Sequence, residues 1–254
     1  MRTLAVIPAR LGALRLPRKP LRLLAGVPIA VRVWSRVRGM GVADRVVVAT
    51  ESPDVAAVLR EAGAECVLTD PHHHSGTDRV AEVARRPEYS GYDVIVNVQG
   101  DEPFIGADAV RGAVAQVAGG GFEIGTTAVP ADATILMRPE AVKVVIDDAG
   151  RALYFSRAPI PWLRDEGDRA VRDPLIRLHL GLYAYTRAAL AAWVALPPHP
   201  LELAERLEQL RPLAAGRAIG VAVTTDVPPM GGIDTEDDLM RANDLWLDFA
   251  GAAV

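Results

Sequence analysis

Four cations fall within ten residues near the start of the chain: Arg10, Arg15, Arg18 and Lys19. Like charges packed this closely repel one another unless an anion joins them. Guanidinium forks with a lysine ammonium suit the oxygens of a triphosphate. The alternative is an ordinary solvated loop. Two acidic segments further along could complete such a site. Asp101 follows Asn97-Val98-Gln99-Gly100 and precedes Glu102-Pro103, and Asp234 follows Gly231-Gly232-Ile233. Magnesium prefers oxygen ligands and typically uses one or two protein carboxylates with phosphate oxygens, so these aspartates could hold it. Plainer readings stand beside that one. Asp101-Glu102-Pro103 could be a simple turn, and the acids from Asp234 to Asp238 suit a helix N-terminus, where Thr235 and Asp238 make a capping-box variant. Asp234 lies outside that helix and is the freest of them to face a metal.

These residues need a scaffold that gathers distant loops at one edge. Leu4-Ala5-Val6-Ile7 reads as a buried parallel strand, and the cationic loop with Gly12, Pro17 and Pro20 follows its carboxyl end. Ligands of open α/β sheets bind at such ends. The loop lacks the spaced glycines of a dinucleotide fold and the Gly-Lys-Ser/Thr of a P-loop. Strands over 3–8, 46–49, 65–68 and 94–98 alternate with helices over 28–39, from Ser52-Pro53-Asp54 to about 62, from Thr77 to about Arg86, and over 107–118. Pro53 suits a first helical turn, Gly63 a C-terminal cap and Thr77 an N-terminal one. Successive βαβ units predict a parallel doubly wound sheet. After residue 122 the rhythm changes. Strands are expected over 123–129, 142–147 and 152–155, with a hairpin turn at Asp147-Asp148-Ala149-Gly150. An exposed excursion over 158–175 carries Pro159, Pro161 and Pro174. A strand over 177–185, helices over 186–195 and 201–213, a strand over 218–224 and a helix over 235–248 complete the chain. The expectation is one domain over 1–254 with a smaller mixed lobe at roughly 130–215.

Composition narrows the function classes. The 254 residues are 50% hydrophobic with a net charge of −4, so no global basic field points to nucleic acid. Aromatic content of 5% argues against base-stacking surfaces. No apolar run reaches membrane-spanning length, and the start of the chain lacks the pattern of a signal peptide. The single cysteine, Cys66, excludes an intrachain disulfide and fits a reducing cytoplasm; within Ala64-Glu65-Cys66-Val67-Leu68 it reads as a buried inert thiol.

The second half offers further candidates. Arg157 is one cation in an apolar stretch from Ala152 to Trp162, suited to a carboxylate ligand or to a structural ion pair. Alternation puts His179, Gly181, Tyr183 and Tyr185 on one strand face. Leu203, Leu207 and Leu210 form a helical stripe, with Glu202, Glu205 and Glu208 as a solvated face paired to arginine. His72-His73-His74 could bind a transition metal, although consecutive residues rarely converge on one ion.

Five motifs in order resemble the sugar-acid cytidylyltransferase family, with its 3-deoxy-manno-octulosonate (KDO) members as the nearest likeness. They are Ile7-Pro8-Ala9-Arg10 with Arg15-Leu16-Pro17 and Lys19-Pro20-Leu21; Val98-Gln99-Gly100-Asp101-Glu102-Pro103; Tyr154-Phe155-Ser156-Arg157 with Ile160-Pro161; His179-Leu180-Gly181-Leu182-Tyr183-Ala184-Tyr185; and Leu201-Glu202 with Glu205 and Leu207-Glu208-Gln209-Leu210-Arg211. Gly232-Ile233-Asp234-Thr235 and Ser75-Gly76-Thr77 add to them, so the likeness runs from about residue 3 to 245.

The resemblance implies a Rossmann-like nucleotidyltransferase that converts CTP and KDO into CMP-KDO and pyrophosphate for lipopolysaccharide synthesis. It further implies a magnesium cofactor, a cytoplasmic setting, a homodimer, and no nucleic-acid or membrane partner. On it, Ala9, Arg10, Arg15, Lys19, Ser75, Gly76 and Thr77 bind the nucleotide, and Asp101 and Asp234 bind the metal. Arg10, Arg15, Lys19 and Asp101 act in catalysis. Gln99, Arg157, His179, Tyr183, Tyr185, Glu208 and Gln209 receive the sugar acid. The chain departs from the family at Ala13 and Leu14, where Ser and Thr are usual, at Arg18, where Gly is usual, and at Leu178, where a basic residue is usual. Two alternatives remain at this stage: a cytidylyltransferase for another sugar acid, and a non-catalytic nucleotide-binding homologue.

Overall fold

The computed structural model describes residues 1–12 and 15–251. It divides into two compact units, Met1–Ala107 with Pro228–Val254, and Asp108–Val227.

The first unit opens with β1 (Thr3–Pro8), whose Leu4, Ala5, Val6 and Ile7 are fully buried, as a central parallel strand requires. A small hairpin that the sequence reading did not contain follows the cationic loop: β2 (Leu23–Leu24) and β3 (Val27–Pro28) are joined by Ala25-Gly26, both at positive φ. Positive φ at both central residues is the geometry of a tight two-residue hairpin, and Ala-Gly is a weak signal for it. Then come α1 (Ile29–Gly39), β4 (Arg45–Thr50), α2 (Pro53–Glu61), β5 (Cys66–Leu68), α3 (Gly76–Arg85) and β6 (Val94–Asn97). The four main strands are parallel in the order β6-β1-β4-β5. Strand order therefore reverses at β1, and the crevice of such a switch point lies at the carboxyl ends of β1 and β6.

Local chemistry sets the helix ends. Ser52 caps α2 by accepting from Val55 N, with Pro53 in the first turn and Gly63 at φ 82° beyond the last. Ser75, rather than Thr77, caps α3. Its hydroxyl accepts from Asp78 N at 3.1 Å, and Asp78 accepts from Ser75 N at 3.1 Å. The acid three residues after Ser75 completes this reciprocal box, and Thr77 lies buried inside the first turn. Burial pushes the Cys66 thiol up to about 11, so the inert-thiol reading stands.

The second unit holds α4 (Ala107–Ala118), β7 (Ile124–Pro130), β8 (Lys143–Ile146), β9 (Ala152–Ser156), α5 (Arg169–Arg172), β10 (Arg177–Thr186), α6 (Arg187–Ala195), α7 (Pro200–Glu205), α8 (Leu210–Ala214) and β11 (Ile219–Val223). β11 pairs parallel with β7; β7–β10, β10–β8 and β8–β9 are antiparallel. Asp147 closes the β8–β9 turn by accepting from Ala149 N and Arg151 N, with Gly150 at φ 77°. The excursion over 158–175 is irregular up to Asp165 and then forms short helical turns over 166–175; it exposes Trp162, Val171 and Leu175.

The helix expected over 201–213 is instead two, α7 and α8, broken at Arg206 in a left-handed conformation (φ 53°). Leu203 is consequently 52% exposed, while Leu207 and Leu210 are buried, so the three do not form one stripe. The chain finally returns to the first unit as α9 (Glu236–Gly251), where Trp246 and Phe249 pack edge-on against Phe104 at 5.5 and 5.0 Å. Thr235 and Asp238 form the expected capping box at its start. Among the described residues no helix is long and apolar enough to cross a membrane.

Candidate active site

Three loops of the first unit meet at the end of β1. A Cβ on Gly100 would stand 2.4 Å from the Pro8 carbonyl oxygen, and one on Gly76 would stand 3.2 Å from Pro8 Cγ. Ser75-Gly76-Thr77 and Gln99-Gly100-Asp101 can therefore lie against the first loop only because side chains are missing at the contact. The third loop joins through Ile233 N, which donates to Asp101 O at 2.9 Å. Gly232 lies against Glu102 and Asp101, where a Cβ would approach Glu102 Oε1 to 3.3 Å.

This framework brings together Arg15, Lys19, Asp101 and Asp234. Lys19 Nζ donates to Asp101 Oδ2 at 2.5 Å and to Asp234 Oδ1 at 2.9 Å, and Arg15 Nη2 donates to Asp234 Oδ2 at 2.7 Å. Burial works to lower the Lys19 pKa, but its bonds and charge pairing with the two aspartates carry it above its ordinary value. Burial, and then the charges of Asp101 and Asp234, push the neighbouring Glu102 carboxyl up to about 8. Two carboxylates thus converge on Lys19, with the raised carboxyl of Glu102 beside them. That donor set fits magnesium, a hard cation often held by one or two carboxylates together with phosphate. Among the described residues no group of three or more His, Cys, Asp or Glu is arranged around a metal position. His73 is engaged with Glu82 at 2.7 Å.

Two cations of the first loop stand apart from that pair. Arg10 is exposed and makes no ion pair with a described residue, while Arg18 turns away to Asp54 at 3.4 Å. Arg18 has φ 56°, the left-handed region, which accounts for the glycine usual in the family at this position. Ala13 and Leu14, the other departures in this loop, lie outside the described residues. Ala9 is buried and Gln99 half-buried on the loop after β6.

The second unit assembles the other candidates. His179, Tyr183 and Tyr185 do share a side, in a ring cluster with Phe155 and Trp193 whose neighbouring centroids are 4.9 to 6.0 Å apart. The alternation is interrupted between Leu180 and Tyr183, where β10 carries two extra residues against β7. Two extra residues preserve the parity, so the three rings stay on one side. Thr126 holds this bulge, donating from its hydroxyl to Leu182 O at 2.7 Å and lying 2.9 Å from His179 Nε2. Burial drives the His179 imidazole down to about 3, so it is neutral at neutral pH.

Arg157 is anchored to backbone. Its guanidinium donates to Glu205 O at 2.7 Å, Pro139 O at 2.8 Å and Arg206 O at 3.4 Å. Glu205 answers by accepting from Ser156 Oγ and Arg157 N. The arginine pairing expected of these glutamates holds for Glu202, which forms a two-bond pair with Arg211, but the solvated face does not: that pair is largely buried, and Glu205 is committed to Ser156 and Arg157. These bonds hold the α7–α8 turn that presents Glu208, half-buried, and Gln209, buried. Lys143, which sequence reasoning passed over, is fully buried and donates to Arg157 O at 2.6 Å and Arg138 O at 3.0 Å. A lysine within Val142-Lys143-Val144-Val145 was the available signal.

A family model described as cytidylyltransferase matches residues 4–219. The 3-deoxy-manno-octulosonate cytidylyltransferase of Gemmatimonas aurantiaca is 61% identical over 246 residues, 97% of this chain and 95% of that protein. That of Serratia proteamaculans is 44% identical over 248 residues, covering 96% and 98%. Among solved structures, CMP:2-keto-3-deoxy-manno-octonic acid synthetase complexed with CTP has a TM-score of 0.89 at 34% identity, covering 98% of this chain and 99% of that one. A cytidylyltransferase from Leptospira borgpetersenii, 15% identical with a TM-score of 0.62 and covering 99% and 93%, shares the fold.

Proposed function

This chain belongs to the 3-deoxy-manno-octulosonate cytidylyltransferase family, and from that membership we propose that it joins CTP to KDO, giving CMP-KDO and pyrophosphate. The observation that carries the reading is the convergence of Lys19 on Asp101 and Asp234, beside Arg15 of the first loop. In the proposed reaction the anomeric hydroxyl of KDO attacks the α-phosphorus of CTP. The new oxygen–phosphorus bond forms as the α–β phosphoanhydride bond breaks; the hydroxyl proton passes to water and pyrophosphate leaves. Arg10, Arg15 and Lys19 offset the charge that grows on the leaving group, an effect worth about 3–4 kcal/mol per fixed donor in comparable sites. Asp101 and Asp234 would hold magnesium, which supplies further neutralisation of the triphosphate and lowers the pKa of a bound hydroxyl.

Ser75, Thr77 and Gly76, the last lying against Pro8, would face the nucleotide. Gln99, Arg157, His179, Tyr183, Tyr185, Glu208 and Gln209 would receive the sugar acid. With His179 neutral, Arg157 is the group of this set suited to the carboxylate. The product would feed lipopolysaccharide synthesis in the cytoplasm. Exposed Trp162, Val171 and Leu175 on the excursion support a homodimer through that segment.

The test is pyrophosphate release from CTP with magnesium, with KDO, with sialic acid and with neither. Release that needs KDO and stops on adding EDTA is the expected result. Release with sialic acid alone would transfer the mechanism to another sugar acid. CTP binding without release from any acid would leave a non-catalytic homologue.

A further inference from the structure

Arg10 is held at both flanks while its own side chain is left exposed. On one side Ala9 N donates to Ala49 O at 2.8 Å, the last ladder bond between the first loop and the strand beside it. On the other, where the ladder has ended, Leu11 N donates to a side chain instead, Glu51 Oε1, at 2.8 Å. The second oxygen of Glu51 lies 3.0 Å from Arg79 Nη2. Arg79 is 3% exposed and is fixed in turn by Thr69 Oγ1 and by Asp70 O.

We propose that Glu51 and Arg79 are positioning residues that fix the backbone around Arg10 so that its guanidinium is preorganised for the triphosphate; this rests on the reading of Arg10 as a phosphate ligand. An ion pair serving the fold alone would need only the contact between Glu51 and Arg79. Here one carboxylate oxygen is spent on the amide of a half-buried loop residue that water could otherwise reach. Fixing that amide removes backbone freedom before the nucleotide arrives, so less ordering remains to be done on binding. Arg79 lies on α3, two residues past Thr77, so the same pair links the Ser75-Gly76-Thr77 loop to the first loop.

The experiment is a double-mutant cycle read by CTP titration calorimetry and steady-state kinetics, with thermal unfolding to confirm that each variant folds. Glu51→Ala is expected to weaken CTP binding about tenfold, the scale of one backbone ordering step, and to leave KM for KDO unchanged. Glu51→Gln, which keeps an acceptor for Leu11 N, should recover most of that loss. In an Arg10→Ala background, Glu51→Ala should add less than about twofold, because there is no guanidinium left to position. If Glu51→Ala strands the buried Arg79 and unfolds the protein, Glu51→Leu with Arg79→Met removes the pair without an orphaned charge and enters the same cycle. Equal losses with and without Arg10, or no loss from Glu51→Ala, would overturn the proposal. Unchanged CTP binding in Arg10→Ala would overturn the assignment of Arg10 and the proposal with it. Failure of the wild-type protein to bind CTP would instead mark failure of the proposed reaction.

Discussion

The buried imidazole of His179 should make the protein acid-sensitive in a defined window. The ring is 8% exposed, packs edge-on against Phe155 and near Tyr183, and has Thr126 Oγ1 as its hydrogen-bond neighbour. Burial carries its pKa from 6.5 to about 3 in the folded chain. Between those values the unfolded chain binds a proton that the folded chain refuses, so stability falls as pH drops below 6.5 and the loss is complete near 3. At pH about 5 the penalty is about 2 kcal/mol, and at pH about 7 it is close to zero. Urea unfolding followed by far-ultraviolet circular dichroism at the two pH values measures the difference. His179→Gln keeps an amide that can donate to Thr126 and cannot titrate in this range. The wild type should lose about 2 kcal/mol more than this variant on acidification, since carboxylate effects are common to both. Equal losses would refute the reasoning and place a charged imidazole inside the folded protein.

Other outcomes follow from the same geometry. Asp101→Ala and Lys19→Ala should each cut turnover by about two to three orders of magnitude while the protein still folds; near-normal pyrophosphate release in either would remove that assignment. Gly100→Ala would drive a methyl group into the Pro8 carbonyl at 2.4 Å, and thermal unfolding should register a loss of about 1–3 kcal/mol with weakened CTP binding. Arg18→Gly relieves a left-handed backbone at φ 56°, so urea unfolding should show a gain of about 1 kcal/mol, with KM for CTP unchanged. Glu205→Ala frees Arg157 N and Ser156 Oγ, and kinetics with each substrate varied should show KM for KDO rising about tenfold without a matching change for CTP.

The elements most legible in the sequence were those whose own residues dictate them. The apolar runs of β1, β4 and β6 admit little but buried strands, and Ser52-Pro53, Gly63 and the Thr235–Asp238 pair mark their helix ends by local hydrogen bonding. The place of Asp101 beside the Lys19 loop was legible as a strand-end position of a doubly wound sheet, whereas that of Asp234 was legible only through the resemblance of Gly232-Ile233-Asp234-Thr235 to the family's motif. Choices between local options were less legible. Ser75 and Thr77 are both good caps, and the position of Asp78 decides for Ser75. The pattern from Leu201 to Leu213 reads as one helix, yet Arg157 draws the carbonyls of Glu205 and Arg206 to itself and the helix breaks there.

Sequence by itself determined the parallel first unit, the change to a mixed second unit, the cationic loop and the two aspartates, since each depends on residue type within a short window. Only the tertiary structure decided that Glu205 serves Arg157 rather than solvent, that Lys143 lies buried beneath Arg157, that β10 carries a bulge held by Thr126, and that Glu51 with Arg79 holds the first loop. Those bonds join residues remote in sequence. Their partners are selected by the packing of separate elements, and no local propensity encodes the distance between them.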